Sequence, residues 1–224
     1  MIRLGVLASG GGTNLQAILD ACASGRVDAR VAVVASNVET AGALDRARRA
    51  GVEALAVTSR GVSDREAHDR GLAGALVDRG VDLVCLAGYM RLVGPVFLRA
   101  FGPTERTRGC PRIVNVHPGL LPSFPGLHAH RQCLAYGSRF AGCTVHFVDE
   151  GTDTGPIIAQ AVVPVLPGDD EATLAARVLV EEHRVYPQVI QWFAQGRLSL
   201  AGRTVTVDGA KAGAMHNPEL EILL

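Results

Sequence analysis

An asparagine and a histidine two residues apart are the first candidates for chemistry in this chain. Asn115 and His117 end a short aliphatic run, and alternate residues of a β-strand project to the same face. An amide donor beside an imidazole suits stabilisation of a developing oxyanion together with proton transfer near neutral pH. The alternative is that Asn115 caps a turn and that His117 is an ordinary hydrogen-bonded histidine. Pro118 follows directly, and its restricted φ favours a fixed position for the imidazole.

A carboxylate that could serve this histidine lies in the polar segment DEGTDTGP at residues 149–156. Asp153 in this segment would orient His117, stabilise its protonated form and so raise the pKa of the imidazole. Turn formation is the alternative role for a single aspartate in a loop of this composition. The three side chains together predict a site where a tetrahedral intermediate is stabilised and a proton is moved.

A glycine-rich loop, SGGGTN at residues 9–14, joins the first predicted strand to the first predicted helix. Bare peptide N–H groups and the positive end of a helix converge in such a loop, which favours a bound phosphate. A dinucleotide site would need glycine at position 15, where Leu15 stands, and an acidic residue after the second strand, where Ser36 and Asn37 stand. A tight glycine turn without a ligand is the remaining alternative.

Four histidines were weighed as metal ligands, namely His117, His128, His130 and His146. His128 begins a predicted helix, in which residues i and i+2 point apart, so no metal site is expected. His146 lies in the middle of a predicted strand, where a hydrogen-bonded, partly buried histidine is the default interpretation.

The elements that must position these residues follow a repeated strand, turn and helix pattern, which is typical of parallel βα units. Two helices show capping-box spacing, Thr13 with Gln16 and Ser63 with Glu66. Since ligands bind at the carboxyl ends of strands in such folds, the strand tips are the expected site. The predicted strands are residues 2–8, 30–36, 52–57, 83–87 and 113–116, and the predicted helices are residues 13–23, 41–50 and 64–79.

The amino-acid composition of the chain changes after residue 116. The proline-rich segment 118–126 predicts a rigid loop, and residues 102–111 predict an exposed one. Glu182 falls on a long predicted helix where a solvated face is the default, and Arg65 in an earlier helix could be a surface charge. Further predicted elements are strands at residues 143–148, 157–165 and 203–208 and a helix at residues 171–195.

These elements predict an α/β fold of one domain, with a mostly parallel, Rossmann-like twisted sheet and helices on both faces. We expect the domain to cover residues 1–200, and residues 201–224 to be a C-terminal extension with one strand and a flexible tail.

Composition excludes several classes of protein. Hydrophobic residues make up 48% of the 224 residues, and 22 basic side chains balance 22 acidic ones. Because the charges cancel, neither nucleic acid nor an acidic membrane is expected as a partner. No apolar run reaches the ~18 residues of a membrane span or resembles a signal peptide, so we expect a cytoplasmic protein. The five cysteines are widely spaced without a C-x-x-C pair, and neither a disulfide framework nor a zinc knuckle is expected.

Four motifs, taken in chain order, resemble the phosphoribosylglycinamide formyltransferases of purine synthesis. The resemblance extends from about residue 2 to about residue 200. Asn-x-His-Pro and the downstream aspartate are shared by the wider formyltransferase group, whereas the glycine-rich motif points to this family. The motifs are SGGGTNLQ at residues 9–16, LAGYMR at 86–91, NVHPGLLP at 115–122, and HFV at 146–148 with DTGP at 153–156.

The resemblance implies the formyltransferase fold and transfer of a formyl group from 10-formyltetrahydrofolate, a consumed cosubstrate, to the amine of glycinamide ribonucleotide, without a metal. It implies that Asn115 polarises the formyl oxygen, that His117 is the general acid and proton carrier, and that Asp153 keeps His117 basic. The residues implied to bind glycinamide ribonucleotide are Gly12, Thr13, Asn14, Pro118 and Glu182. Those implied to line the folate pocket are Arg65, Met90, Arg91, Leu92, Val93, Asn115, Asp149, Glu150, Gly151, Thr152 and Asp153.

Two departures from the family pattern stand out. Gly119 replaces the more usual serine after His-Pro, which would loosen the loop after His117, and the segment 102–111 is longer than usual. We expect only small-molecule partners, and a monomer or a homodimer.

Three other functions were considered. A formyltetrahydrofolate hydrolase would use the same trio with water as acceptor, but it carries an additional N-terminal domain that is not expected here. A methionyl-tRNA formyltransferase carries a basic C-terminal RNA-binding domain, which is not expected either. A non-catalytic nucleotide-binding module would not need Asn115, His117 and Asp153 intact.

Overall fold

A seven-stranded sheet in the order β3-β2-β1-β4-β5-β6-β7 forms the centre of the protein. The structure is a computed structural model that describes residues 1–58 and 64–209. The pairs from β3 to β5 are parallel, and β5–β6 and β6–β7 are antiparallel, which confirms the mostly parallel sheet. The strands are β1 Ile2–Leu7, β2 Ala29–Ser36, β3 Glu53–Ala56, β4 Leu83–Leu86, β5 Ile113–His117, β6 Phe140–Phe147 and β7 Ile157–Pro164.

Helices cover both faces of this sheet, as expected for a doubly wound α/β domain. Alternate residues of β1 enter two separate apolar clusters: Leu4 and Val6 pack with α1, α2 and α6, whereas Leu7 packs with α3 and α4. The period of two along a strand thus builds a core on each side. The helices are α1 Thr13–Ala23, α2 Gly42–Arg49, α3 Arg65–Asp78, α4 Pro95–Ala100, α5 Ala129–Tyr136 and α6 Glu171–Ala194.

Two elements were not predicted, and one helix starts differently from the prediction. The short helix α4 was not predicted, and neither was β8 (Leu198–Ala201), which pairs with β9 (Thr204–Val207) in a small antiparallel sheet. Thr13 does not cap α1, because Gly12 is the N-cap residue and no side chain caps this helix. Asp64 caps α3 by accepting from the Glu66 N–H at 2.9 Å.

Some predictions fall outside the described residues. Ser63, proposed as a helix cap, is one of them, and so are residues 210–224 of the expected C-terminal extension. The boundary near residue 200 stays a prediction. Residues 102–111 contain one turn of 3₁₀ helix, Glu105–Thr107, in an otherwise irregular segment. Among the described residues, none of the helices combines the length and apolarity that crossing a membrane requires.

The long helix α6 is hydrogen-bonded to two central strands, β4 and β5. Tyr186 is fully buried, and its hydroxyl shares its hydrogen between the carbonyl oxygens of Leu86 at 2.9 Å and Val114 at 3.1 Å. Leu86 ends β4, and Val114 immediately precedes Asn115 in β5. The hydroxyl therefore links α6 to β4 and to β5, the strand that carries Asn115 and His117.

Replacing Tyr186 with Phe removes this hydroxyl and leaves two buried carbonyl oxygens without its hydrogen. We expect the free energy of unfolding to fall by about 1–2 kcal/mol, measured by urea denaturation. Tyr136, whose side chain is 80% exposed, offers the matched control: Tyr136→Phe should change stability by less than about 0.5 kcal/mol. Equal stabilities of the two variants would contradict the role assigned to the buried hydroxyl.

Candidate active site

The carboxylate of Asp153 brings the predicted polar residues together. It lies in the connection between β6 and β7, with Oδ2 3.2 Å from His117 Nδ1 and Oδ1 3.5 Å from Asn115 Nδ2. Asn115 and His117 project from the same face of β5, as their spacing predicts. The backbone of Asp153 has φ 55°, a left-handed conformation that aspartate tolerates better than most residues. The amide, the imidazole and the carboxylate therefore form one contact group.

His146 belongs to this group, although its position in the sequence predicted a hydrogen-bonded histidine of the strand and not a member of the site. It pairs with Asn115 across the antiparallel β5–β6 ladder. Its Nδ1 lies 2.7 Å from the Phe147 carbonyl oxygen and must donate, since a carbonyl only accepts. In the neutral ring Nε2 then accepts from Asn115 Nδ2 at 3.1 Å. This bond fixes the Asn115 amide with its N–H₂ group toward the site.

The proline-rich loop after β5 closes over the same group. The Phe124 carbonyl oxygen accepts from His117 Nε2 at 2.9 Å, and the Gly126 N–H donates to Asp153 Oδ2 at 2.8 Å. Both ring nitrogens of His117 therefore have partners. The imidazole is held between the loop on one side and the carboxylate on the other.

Gly119 lets this loop pass close to the imidazole. A Cβ atom added at Gly119 would lie 2.9 Å from His117 Nε2, closer than real Cβ contacts. The Gly119 carbonyl accepts from Thr144 Oγ at 2.6 Å, and the Leu121 N–H donates to the same hydroxyl at 3.0 Å. The expected loosening by glycine stays a prediction, and the structure shows that buried contacts to β6 hold the loop in this position.

Burial and charge act in opposite directions on the pKa of His117. Burial lowers the pKa, and the Asp153 carboxylate and the Phe124 carbonyl raise it by less, so the pKa lies below its usual value. Asp153 acts on the pKa in the predicted direction, and the larger, opposite effect of burial was not predicted. For Asp153 itself, burial raises the pKa. The contact with His146, the hydrogen bond from the Gly126 N–H and the nearby histidine charges together lower it by more, leaving a net decrease.

The glycine-rich loop presents free peptide N–H groups at the start of α1. Gly12 has φ 74°, and an added Cβ atom would lie 2.8 Å from Ala43 Cα, so both backbone and packing require glycine. Gln16 is the first residue whose N–H finds an acceptor in the helix, the Gly12 carbonyl at 3.0 Å. The three preceding N–H groups have no such acceptor, and Arg46 places a guanidinium at the loop by donating to the Gly11 carbonyl at 2.7 Å. This is an environment for an anion.

Glu182 reaches the same end of α1 from helix α6. Its Oε2 accepts from Asn14 Nδ2 at 2.6 Å, and both side chains are buried. Burial raises the pKa of Glu182, although the Asn14 hydrogen bond opposes this. The solvated helix face expected as the default does not apply to Glu182. The structure thus places it beside the glycine-rich loop, as the resemblance implied.

A small cavity of about 80 Å³ opens beside Asn115, His146 and Asp153. It is lined largely by the segment after β4 and by the β6–β7 connection. The two segments, both expected to line the folate pocket, therefore border one cavity. The remaining lining residues are Leu86, Tyr89, Arg91, Leu92, Val93, Val148, Asp149, Glu150 and Gly151.

Three residues assigned to the folate pocket lie outside this lining. Met90 has a side chain that is 64% exposed, and its N–H donates to Ser9 Oγ at 2.8 Å. Thr152 is exposed at the tip of the β6–β7 connection. Arg65 lines a neighbouring cleft of about 720 Å³ and donates to the Leu92 carbonyl at 2.8 Å. Within residues 1–58 and 64–209, no group of three or more potential ligand side chains could hold a metal ion.

Comparison with known proteins places this site in a family. Residues 2–190 match the formyl transferase family. The chain belongs to the formyl transferase family. A phosphoribosylglycinamide formyltransferase from Escherichia coli K12 is 43% identical over 206 residues, which is 92% of this chain and 93% of that protein. The resemblance inferred from the motifs is confirmed.

Two other members of the family extend this comparison. The crystal structure of glycinamide ribonucleotide transformylase 1 from Symbiobacterium toebii superimposes with a TM-score of 0.87 and 56% identity, covering 92% of this chain and 94% of that one. A trifunctional purine biosynthetic protein of Drosophila melanogaster is 44% identical over 196 residues, which is 87% of this chain and 14% of that protein. The predicted formyltransferase fold is confirmed.

Replacing Gly12 with Ala forces a side chain into a left-handed backbone against Ala43. We expect the free energy of unfolding to fall by about 1–3 kcal/mol. Gly10→Ala is the control, because nothing lies within 4 Å of a Cβ atom added there, and it should be close to neutral. Thermal unfolding of both variants measures the difference, and a Gly12→Ala variant as stable as the control would contradict the packing described here.

Replacing Asp153 with Asn removes the carboxylate that raises the pKa of His117, while the burial that lowers it remains. The pKa of His117 therefore falls further, and the acidic limb of the pH–rate profile moves to lower pH if activity needs the unprotonated imidazole. An NMR titration of the His117 ring protons measures the pKa directly. A pKa and an acidic limb that both stay in place would show that the two groups are not coupled.

Proposed function

We propose that this chain transfers the formyl group of 10-formyltetrahydrofolate to the amine of glycinamide ribonucleotide in purine biosynthesis. The observation that carries the proposal is the Asp153 carboxylate, which contacts His117 Nδ1, Asn115 Nδ2 and His146 Nε2 at the strand edge. Membership of the formyl transferase family and the names of its relatives support the same reaction.

Asn115 is proposed to stabilise the charge that develops on the formyl oxygen. When the amine attacks the formyl carbon, the oxygen becomes negative, and a donor already aimed at it lowers the barrier by about 3–4 kcal/mol. One N–H of the Asn115 amide is engaged by His146, whereas the contact of the amide with Asp153 at 3.5 Å is weak. The second N–H is therefore the one available to the substrate.

His117 is proposed to act as general acid and proton carrier. The attacking amine must lose a proton, and the departing folate nitrogen must gain one. Asp153 stabilises the charged ring, whereas burial disfavours it and holds the pKa below its usual value. Because Nε2 is held by Phe124 and Nδ1 by Asp153, one of these partners must yield before the ring meets the reacting atoms.

The glycine-rich loop is proposed to hold the phosphate of glycinamide ribonucleotide. Gly12, Thr13 and Asn14 supply peptide N–H groups at the positive end of α1. Glu182, bonded to Asn14, and Pro118, next to His117, would contact the rest of the same substrate. This arrangement brings the amine toward the strand edge and removes the bimolecular search between the two substrates.

The cavity beside Asn115 is proposed to receive the folate ring. Since β4 and β5 are neighbours, the segment after β4 that lines this cavity lies next to Asn115 and His117 at the end of β5. The cosubstrate supplies the formyl group and is consumed, so the proposed chemistry requires no metal. The proposed folate-binding residues are Arg65, Met90, Arg91, Leu92, Val93, Asn115, Asp149, Glu150, Gly151, Thr152 and Asp153.

Several expectations remain predictions. These are the restriction to small-molecule partners, the cytoplasmic location and the choice between monomer and homodimer. The formyltetrahydrofolate hydrolase remains the nearest alternative activity, because water could accept the formyl group from the same trio, and the assay below separates the two.

The central test measures formyl transfer to glycinamide ribonucleotide, with water and initiator tRNA as control acceptors. We expect Asn115→Ala and His117→Ala each to lower turnover by about 100- to 1,000-fold, because each removes a group that acts in the transition state. The melting temperatures should change little by comparison. Near-normal transfer by either variant would refute its role, and formate release without amine formylation would favour the hydrolase.

A further inference from the structure

Asp69 is a buried carboxylate that the proposed mechanism does not use. It lies in α3, away from the tip of β5, and only 3% of the residue is exposed. A buried carboxylate is costly unless hydrogen bonds compensate it. Its Oδ2 accepts from the Gly94 N–H at 2.6 Å, a short, charge-assisted bond to the segment between β4 and α4.

His68 connects this carboxylate to the end of β3. Its Nε2 lies 3.0 Å from the Val57 carbonyl oxygen and must therefore donate, and its Nδ1 lies 3.4 Å from Asp69 Oδ1. The imidazole is buried as well. A continuous chain of polar contacts thus leads from Val57 through His68 and Asp69 to Gly94.

Glycine at position 94 allows the close approach. A Cβ atom added there would lie 2.8 Å from Asp69 Oδ2, so any side chain would push the carboxylate and the N–H apart. Its φ of −89° is open to other residues, which means that the contact, and not the backbone, requires glycine. One helical turn earlier, Arg65 donates to the Leu92 carbonyl at 2.8 Å. Helix α3 therefore holds the stretch from Leu92 to Gly94 by two hydrogen bonds.

The stretch from Leu92 to Gly94 forms a wall of the cavity assigned to folate. Leu92 and Val93 line that cavity and also the neighbouring cleft. The stretch has no regular secondary structure, so no ladder of backbone hydrogen bonds fixes it. Hydrogen bonds from side chains of α3 hold the stretch instead, and the bond to Asp69 is the buried, charged one.

We propose that Asp69 is a positioning residue that holds the Leu92–Val93 wall in place for the folate cosubstrate. The inference rests on the proposed function, since it takes this cavity as the folate pocket. It assigns to α3 a role in affinity for the folate, because Leu92 and Val93 line that cavity. The same connection meets the glycine-rich loop through Gly88 and Met90, which contact Ser9 outside the stretch that α3 holds.

Steady-state kinetics with both substrates, together with thermal unfolding, test this role. In Asp69→Ala we expect the KM for 10-formyltetrahydrofolate to rise about tenfold or more, with the KM for glycinamide ribonucleotide within about twofold. Asp69→Asn should restore most of the folate affinity, because an amide oxygen can accept from the Gly94 N–H and an amide N–H can meet His68 Nδ1. Asp78→Asn, at an exposed residue of the same helix, removes one charge without this contact and should match the unmodified chain.

Gly94→Ala tests the same contact from the other side and leaves α3 intact, so it decides the question if Asp69→Ala does not fold. It should reproduce the selective rise in folate KM. An unchanged folate KM in the folded variants, or a parallel rise of both KM values, would overturn the inference. Absence of transfer by the unmodified chain would instead refute the proposed function.

Discussion

A single half-buried carboxylate determines how the polar groups at the strand edge face one another. Asp153 meets an imidazole, an amide and a peptide N–H from two parts of the chain: β5 supplies His117 and Asn115, and the proline-rich loop supplies the Gly126 N–H. Its left-handed backbone carries strain of order 1–3 kcal/mol, which these hydrogen bonds offset. The position of the carboxylate is thus fixed by contacts with β5 and the proline-rich loop, and not by its own loop alone.

Helix α6 contacts both ends of the site, the strand edge and the glycine-rich loop. Tyr186 bonds to the strands that carry the reactive residues, and Glu182, one turn earlier, bonds to Asn14 beside the glycine-rich loop. Both side chains are buried, so water cannot easily replace either contact. The spacing between the glycine-rich loop and the strand edge is therefore set by one turn of helix α6.

The sequence alone was sufficient for features that depend on local periodicity. The period of two along β5 predicted that Asn115 and His117 share a face, and the apolar runs predicted the other strands of the large sheet to within a few residues. Features that depend on packing could not be derived in this way. His146 joins the group only because β6 runs antiparallel to β5, and Glu182 is buried only because α6 docks against α1. The net direction of the shift in the His117 pKa depends on how far the folded chain buries the ring.

The antiparallel return from β6 to β7 has a consequence for how such a protein can diverge. The connection that bears Asp153 joins neighbouring strands without a crossover helix, so insertions there need not disturb the sheet. The glycine-rich loop lies on the opposite side of β4, within the parallel half. The proposed sites for the two substrates therefore draw largely on separate stretches of chain, and natural variation can alter one while the other is preserved.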